Sequence, residues 1–455
     1  MQVKKLQIQN FKNPLRLVLL IIAVAIAIGT MVAFFLWLLN WAIHYRFSHP
    51  WLLYLLPLAG LLIHFIYRSV GQSSEKGNNL IIDEIHQPGG GVPKRMAPII
   101  LLTTIITHLF GGSAGREGTA VQMGGSIAAM FGRWFKLDDK DMKTLLITGI
   151  AAGFGAVFGT PLTGAIFAIE VLTLSRMEYR AFFYALIAGI VADVTVSAWG
   201  IHHTAYHIDI AVATPYFLSA WLPLDVILVL KVIIAAAVFG LVSYLFAVMV
   251  HQIKVVFLRL FKITWLIPIA GGLIIIGLTF LLNKPDYLSL GVDAEYPGAI
   301  TIPSAFHTGG AETWSWLWKT IYTTITLGTG FKGGEVTPLF YIGATLGNTL
   351  SVLLNTPASL FAALGFIAVF AGATNTPLAC TFMGVELFGY EHALLFGIVC
   401  FTAYLFSGHT GIYSSQRMAV PKLFDNHPEK DLSKRNRYLY QKIHKYRVNH
   451  RKNKL

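Results

Sequence analysis

Two glutamates stand in glycine-rich breaks of an otherwise apolar chain. Glu117 lies in the segment 115–119 (Gly-Arg-Glu-Gly-Thr), and Glu335 lies in the segment 333–337 (Gly-Gly-Glu-Val-Thr). An ionised side chain between apolar segments is costly unless it lines an ion pathway. The glycines let the backbone turn and present N–H groups, and a helix that begins just after them points its positive end at the break. This pattern predicts an anion site that a carboxylate occupies when ionised and leaves when protonated.

Each of these side chains also has a simpler structural role. Glu117 can cap the helix that starts beside it, and Glu335 can cap a helix or form a salt bridge with Lys332. Thr337 can donate its hydroxyl to an ion, or it can cap a helix that begins at Pro338. The residue types alone do not separate these roles.

An asparagine and a tyrosine near other helix ends are further candidates. Asn78, in the segment 77–81 (Gly-Asn-Asn-Leu-Ile), can donate amide N–H groups to an anion or act as a helix N-cap, and its residue type alone favours the cap. Tyr413 follows the last apolar segment. It can point its hydroxyl inward, or it can lie in the aromatic belt at the membrane surface, which its position alone favours.

Three histidines, His202, His203 and His207, have a spacing compatible with metal binding. Only Asp209 and no cysteine accompany them, so we expect a solvated loop and no metal site. The two cysteines of the chain lie in apolar runs, which excludes a disulfide framework. We find no zinc-protease motif and no convincing nucleophile–base pair, so we expect neither a cofactor nor enzymatic catalysis.

Composition indicates which elements hold these residues. Of the 455 residues, 55% are hydrophobic and 13% are charged, whereas soluble proteins carry about 25% charged residues. That excludes a soluble enzyme, a nucleic-acid-binding protein and a disordered scaffold, and it indicates an all-α polytopic membrane protein. Of the net charge of +13, the segment 417–455 supplies +9, from twelve Lys or Arg and three Asp or Glu. Because basic flanks stay in the cytoplasm, we expect cytoplasmic segments at 1–14 and 417–455 and a transmembrane domain at 15–416.

Uncharged stretches indicate where the chain crosses the membrane. Residues 17–43 contain no Asp, Glu, Lys or Arg and are long enough to span a hydrocarbon core of about 30 Å. The longest such stretch, 336–385, contains Pro357 and Pro377, so it must hold several helices joined by tight breaks. Broken helices persist in a membrane only where protein or a water-filled cavity satisfies the backbone, and transporters build ion sites from them.

The chain also repeats itself. Pro161 is followed nine residues later by Glu170, and Pro377 is followed nine residues later by Glu386, an offset of 216 residues. The glutamates of the two glycine-rich breaks lie 218 residues apart. Two matches in the same order at nearly the same offset predict a duplicated fold. We expect Glu170 and Glu386, at the ends of apolar helices, to have structural roles.

These motifs resemble those of the CLC family of chloride channels and anion/proton antiporters. The segment 115–119 is similar to the family's G-[KR]-E-G-P motif, residues 161–170 resemble P-L-x-G-x-x-F-x-x-E, and residues 330–347 resemble its G-x-F-x-P segment. The resemblance implies a CLC fold with two inverted-topology repeats of tilted, broken transmembrane helices. It also implies a homodimer with one ion path per subunit. The repeats are expected at about 50–200 and about 225–416.

Three departures from the chloride-transporting members resemble the bacterial fluoride/proton antiporters of that family. Residues 77–81 replace G-S-G-I-P, residues 334–338 replace G-[IF]-F-[AV]-P, and Val171 stands where exchangers carry an inner proton-relay glutamate. By this resemblance, Glu117 and Glu335 serve gating and proton coupling. The anion-binding residues that it implies are Asn78, Gly118, Val336, Thr337 and Tyr413.

The resemblance implies a proton-coupled fluoride exporter in a bacterial inner (plasma) membrane, with fluoride and protons as substrates. The alternative is a chloride/proton antiporter or a passive anion channel of the same fold. Fluoride is smaller than chloride and holds water more tightly, so its site needs stronger or more numerous donors. The amide of Asn78 offers two N–H groups where a serine offers one O–H. Val171 leaves the proton route to the inside unassigned.

Overall fold

The computed structural model describes residues 14–209, 217–219, 222–223, 225–420 and 422. The basic segments expected at the two ends of the chain lie almost wholly outside the described residues. The described part contains fifteen α-helices: α1 (Pro14–Ser48), α2 (Leu56–Ile66), α3 (Asn78–His86), α4 (Met96–Leu109), α5 (Glu117–Trp134), α6 (Asp139–Phe158), α7 (Pro161–Glu170), α8 (Phe182–Ala198), α9 (Val226–Leu260), α10 (Leu266–Leu282), α11 (Ser315–Gly328), α12 (Val336–Leu354), α13 (Ala358–Thr374), α14 (Pro377–Phe388) and α15 (Ala393–Phe406).

Four short strands complete the described part of the chain. They are β1 (Thr173–Leu174), β2 (Phe217–Ser219), β3 (Leu222–Pro223) and β4 (Arg417–Met418). β1 pairs in parallel with β4, and β2 pairs antiparallel with β3. The first pair ties the segment after α7 to the segment after α15, which carries Tyr413.

The helices confirm a multi-pass membrane protein. Six helical stretches in the described residues are long and apolar enough to cross a membrane: Leu15–Ser48, Pro50–His86, Asp139–Phe158, Tyr179–Ala198, Val226–Leu260 and Val336–Leu354. The uncharged stretch 17–43 lies within α1. The stretch 336–385 divides into α12, α13 and most of α14, with breaks before Pro357 and Pro377 as predicted.

Helices α7 and α14 cap each other across the two halves. The Glu386 carboxylate accepts hydrogen bonds from the N–H of Leu162 (2.9 Å) and from the N–H and hydroxyl of Thr163 (2.8 and 2.6 Å). In return, Glu170 accepts from the N–H of Leu378 (3.0 Å) and of Ala379 (2.8 Å). The C-terminal end of each helix therefore lies at the N-terminus of the other, and the two helices run antiparallel. This reciprocal contact reflects the inverted topology of the two repeats and confirms structural roles for both glutamates.

Close helix pairs recur in both halves. A Cβ on Gly124 of α5 would lie 2.1 Å from the carbonyl oxygen of Gly149 in α6, and a Cβ on Gly343 of α12 would lie 2.1 Å from that of Gly365 in α13. Small residues at these crossings let the backbones approach, which is how membrane helices pack without a hydrophobic driving force. Every residue of α13 is buried, so this helix forms the centre of the second half.

Candidate functional site

The two glycine-rich breaks meet inside the protein. The N–H of Gly115 donates to the carbonyl of Gly334 (2.6 Å), and the N–H of Gly334 donates to the carbonyl of Gly115 (2.7 Å). This exchange brings together the N-terminal ends of α5 and α12, one from each half. First-turn N–H groups have no acceptor within their own helix, and the helix dipoles add positive potential at the same point. The fold thus concentrates N–H donors where Glu117 lies.

Glu117 occupies an anion-accepting position at the start of α12. Its side chain is fully buried. One carboxylate oxygen, Oε2, accepts hydrogen bonds from the N–H of Thr337 (3.0 Å) and the N–H of Arg116 (3.1 Å), and the hydroxyl of Thr337 donates to Oε1. The guanidinium Nε of Arg116 lies 3.6 Å from Oε1. Glu117 therefore takes two of its three donors from the opposite half and does more than cap its own helix.

Thr337 is not at the N-cap of α12, where a capping role would require it. Helix α12 begins at Val336, with Glu335 as N-cap, so the prediction of a helix start at Pro338 is wrong by two residues. Thr337 lies inside the first turn, where its N–H and hydroxyl both reach the Glu117 carboxylate. Val336 is buried beside it, and its N–H belongs to the same turn.

Asn78 turns its amide toward the site. The N-cap of α3 is Gly77, with φ of +58° and no side-chain cap, so Asn78 is not the cap that its residue type favoured. Asn78 is buried, and its Oδ1 has no hydrogen-bond partner. A Cβ on Gly118 would lie 3.1 Å from Asn78 Nδ2 and 3.0 Å from the Cα of Gly334. Only a glycine at 118 leaves room for the amide to approach the first turn of α5.

Glu335 lies beside the same turn, and its side chain neither caps a helix nor pairs with Lys332. It stands at the N-cap of α12 without a side-chain capping hydrogen bond, and its Oε2 is 3.8 Å from the position of a Cβ on Gly118. Within the described residues it forms no ion pair with Lys332, whose ammonium lies over the ring of Tyr67 at 4.2 Å. The carboxylate is thus held next to the start of α5.

Tyr413 is buried and does not lie in an aromatic belt. Its ring meets that of Phe167 edge to face at 6.3 Å. The backbone around it is anchored because the N–H of Ile412 donates to the carbonyl of Ala373 (2.9 Å) and the N–H of Ser415 donates to Oδ1 of Asn79 (2.9 Å). These bonds fix the segment that carries Tyr413 to α13 and α3.

Val171 is buried directly after Glu170, whose carboxylate caps α14. Position 171 therefore has no titratable side chain, in agreement with the departure seen in the sequence.

A small cavity with room for about one water molecule adjoins Glu117 and Arg116. Aromatic side chains make up much of its wall, and the segment 201–209 supplies a polar part. Its remaining lining residues are Phe158, His203, Thr204, Tyr206, Val292, Thr337, Phe340, Phe366 and Leu387. The segment is a loop, as predicted: His202 and His207 are exposed, whereas His203 is half-buried against the cavity. The apolar side chains of Ile201, Tyr206 and Ile208 among the polar residues are the sequence signal for a packed face.

Two inverted halves whose broken helices direct N–H donors at a buried carboxylate define an anion-transport protein. The chain belongs to the voltage gated chloride channel family, whose family model matches residues 59–408. A chloride/fluoride channel protein of Pseudomonas syringae is 46% identical over 405 residues, 88% of this chain and 86% of that protein.

Solved structures lead to the same family. A crystal structure of a CLC-type fluoride/proton antiporter superposes with a TM-score of 0.82 at 34% identity, covering 90% of this chain and 99% of that one. A slow cyanobacterial Cl⁻/H⁺ antiporter superposes at 0.71 with 20% identity, covering 88% and 96%, and shares the fold. The chain is therefore a multi-pass membrane protein of CLC-type anion transport.

Proposed function

We propose that this protein is a fluoride/proton antiporter that exports fluoride and gives fluoride resistance. The observation that carries the proposal is the Glu117 carboxylate at the N-terminus of α12, where it accepts the N–H and hydroxyl of Thr337. An ionised carboxylate and a small anion compete for these donors, so one residue couples the two ions. The 34% identical antiporter structure and the 46% identical chloride/fluoride channel protein support the choice of anion.

The gate operates by exchange at the donors. A proton on Glu117 removes the negative charge that holds the side chain there, because hydrogen bonds to a charged acceptor are about twice as strong as neutral ones. The neutral side chain leaves, and fluoride takes the N–H and O–H donors of Thr337. Loss of the proton restores the carboxylate, which returns and displaces fluoride. Glu335, beside the first turn of α5, is the group to which we assign the inner proton transfer.

The donor set suits fluoride. We assign anion binding to the hydroxyl and N–H of Thr337, the first-turn N–H groups of Gly118 and Val336, and the amide of Asn78. We also assign the buried Tyr413 to the anion path. No full cation other than Arg116 approaches Glu117 within 4.0 Å in the described residues. Donors without a strong fixed charge let the anion leave again.

The distribution of basic residues supports an inner-membrane orientation with both termini in the cytoplasm. One side of the protein contains the Lys143–Glu178 ion pair (2.9 Å), the β1–β4 pairing and a hydrogen bond from Arg133 to the carbonyl of Val92. This side carries many Lys and Arg. The described residues 201–209 and 285–318, some of which line the cavity beside Glu117, contain neither. By the positive-inside rule the first side is cytoplasmic, and the cavity beside Glu117 faces out.

The proposed unit is a homodimer with one path in each subunit. Large apolar side chains stand exposed along α8 (Phe183, Ile190 and Val194) and along α15 (Leu394 and Phe401). These helices flank the reciprocal pair α7 and α14, so they form one apolar face. We expect a protein mass near twice 50.1 kDa in mild detergent, measured by light scattering. A monomeric mass would contradict the dimer and leave the transport proposal standing.

The transport proposal is tested with purified protein in liposomes. Fluoride and chloride electrodes follow anion efflux, and a pH electrode follows proton uptake under an imposed voltage. We expect fluoride efflux far above chloride efflux, with matching proton uptake. Glu117→Gln is expected to abolish proton-coupled turnover because it removes the titratable group. Glu391→Gln, which changes an exposed glutamate in the same way, is the control and is expected to behave as the unmodified protein.

Other outcomes identify other functions. Equal fluoride and chloride rates would indicate a chloride transporter of the same fold. Fluoride selectivity without proton movement would indicate a passive channel, in keeping with the name of the chloride/fluoride channel protein. Proton-coupled fluoride transport in Glu117→Gln would refute the gate.

A further inference from the structure

The segment 201–209 is packed in place over the outer cavity. His203 and Tyr206 turn toward the protein, whereas His202 and His207 are exposed. The ring of Tyr206 stacks on Phe306 at 5.5 Å and 26°. The ring of His203 lies against the turn at the end of α6, where a Cβ on Gly159 would be 2.5 Å from its Cδ2 atom. His203 therefore has a defined position at the cavity.

The imidazole of His203 has an unfilled hydrogen-bonding position there. Its Nε2 atom is buried and has no hydrogen-bond partner, and it lies 3.7 Å from Oδ1 of Asp193 on α8. Across the same cavity, Nε of Arg116 is also buried without a hydrogen-bond partner, 3.6 Å from Glu117. The cavity between them is small, with room for about one water molecule. A water molecule in this cavity would supply the partner that each nitrogen lacks.

We propose that His203 is the outer proton-accepting residue of the ion path. This inference rests on the proposed function, in which Glu117 takes its proton from the outside. The neutral Nε2 of His203 accepts a proton from a hydronium ion of the outer solution, which leaves as water. The imidazolium then releases a proton to a cavity water, which passes a proton to the Glu117 carboxylate. The imidazole ends neutral and Glu117 ends as a carboxylic acid, so charge and atoms balance. Histidine suits the role because one ring nitrogen can accept a proton while the other already carries one.

The charges around His203 support an uptake site. Asp193 of α8 stabilises the imidazolium, and the ionised Glu117 attracts the proton inward. Arg116 opposes the charge from the far wall, which favours onward release. Asp293, from the segment after α10, is a further negative charge near Tyr206. In the segment 201–209, which carries His203, the other two histidines and the aspartate are exposed: His202, His207 and Asp209.

The test is fluoride-driven proton uptake in liposomes as a function of outer pH. We expect His203→Gln to slow both fluxes by about tenfold at about pH 7.5, because a positioned acid–base group is lost. The fluoride-to-proton ratio should stay unchanged, and the deficit should shrink toward about pH 5.5, where protons reach Glu117 directly from water. His202→Gln and His207→Gln are matched controls on the same segment and should follow the unmodified protein.

Two further variants separate proton uptake from attraction of anions. His203→Arg keeps a positive charge that does not titrate, so we expect it to be as slow as His203→Gln. Asp193→Asn removes the carboxylate that lies 3.7 Å from Nε2 of His203, so both fluxes should slow in the same direction as in His203→Gln. Fluoride binding by calorimetry reports on Asn78 and Thr337 and should be unchanged in every variant, which excludes misfolding.

The inference is overturned if His203→Gln matches the unmodified protein across the pH range, or if His203→Arg restores the rate. Failure of the proposed function has a different signature. If the unmodified protein moves fluoride without protons, the antiporter proposal fails and the role of His203 falls with it. If the unmodified protein is coupled and His203→Gln is normal, only the role of His203 is lost.

Discussion

Thr337 allows the anion site to be tested by removing one donor. Its hydroxyl and its N–H both donate to Glu117, and the same two groups face a fluoride ion once Glu117 has left. Thr337→Val keeps the side-chain shape and the backbone N–H and removes only the hydroxyl. A hydrogen bond to a charged group is worth about 1.5–3 kcal/mol. Since about 1.4 kcal/mol is a factor of ten, we expect fluoride affinity to fall by about 10- to 150-fold.

The assay must remove competition from the gate. We therefore compare fluoride binding by titration calorimetry in Glu117→Ala and in Glu117→Ala combined with Thr337→Val. Thr337→Ser, in the same Glu117→Ala background, retains a hydroxyl and is expected to bind within about threefold of the parent. Thermal unfolding in detergent confirms that all three proteins are folded.

A single outcome refutes this reasoning. If the valine variant binds fluoride within about threefold of Glu117→Ala, the hydroxyl contributes less than a charged hydrogen bond should. Thr337 would then be a partner of the gate and not a ligand of the anion, and the placement of the site at the start of α12 would need revision.

Three other changes test the elements around the site. Asn78→Ser should lower the fluoride-to-chloride efflux ratio in paired electrode recordings, because the site loses an amide with two N–H donors; an unchanged ratio would remove the amide from selectivity. Glu386→Gln should lower the free energy of unfolding by about 1–3 kcal/mol in detergent, since neutral caps on α7 are weaker, while Glu391→Gln should not; equal stability would contradict the cap. Gly343→Ala should abolish monodisperse protein on size exclusion, because its Cβ would meet a backbone oxygen at 2.1 Å, whereas Gly277→Ala, with nothing within 4 Å, should be tolerated.

The repeat and the breaks were predictable because their signals are local. In both α7 and α14, a proline occupies the first helical position and a glutamate nine residues later lies at or near the C-terminal end. The offset of 216 residues then identified the two helices as equivalents. The sequence could not show that Glu170 and Glu386 cap each other's helix, since that contact depends on how two distant segments pack.

The site itself was less predictable from the residues. Residue type favoured a cap for Asn78, but Gly77 adopts a positive φ and takes the N-cap, which turns the amide toward Gly118. Position favoured a membrane-surface role for Tyr413, but hydrogen bonds to α13 and α3 hold its segment inside. In each case a long-range contact overrode a local preference, and only the resemblance to the fluoride/proton antiporters indicated the outcome beforehand.

Reciprocal capping of α7 and α14 also sets an order of events during synthesis. The acceptor for the first helix, Glu386, lies 223 and 224 residues after the N–H groups that it satisfies. At about 5–20 residues per second, the ribosome takes roughly 10–40 s to supply it. During that interval the N-terminal half waits in the membrane with the start of α7 uncapped, and it can finish folding only when the last helices arrive. A chain truncated before α14 should therefore keep the start of α7 uncapped, and quality-control proteases should remove it.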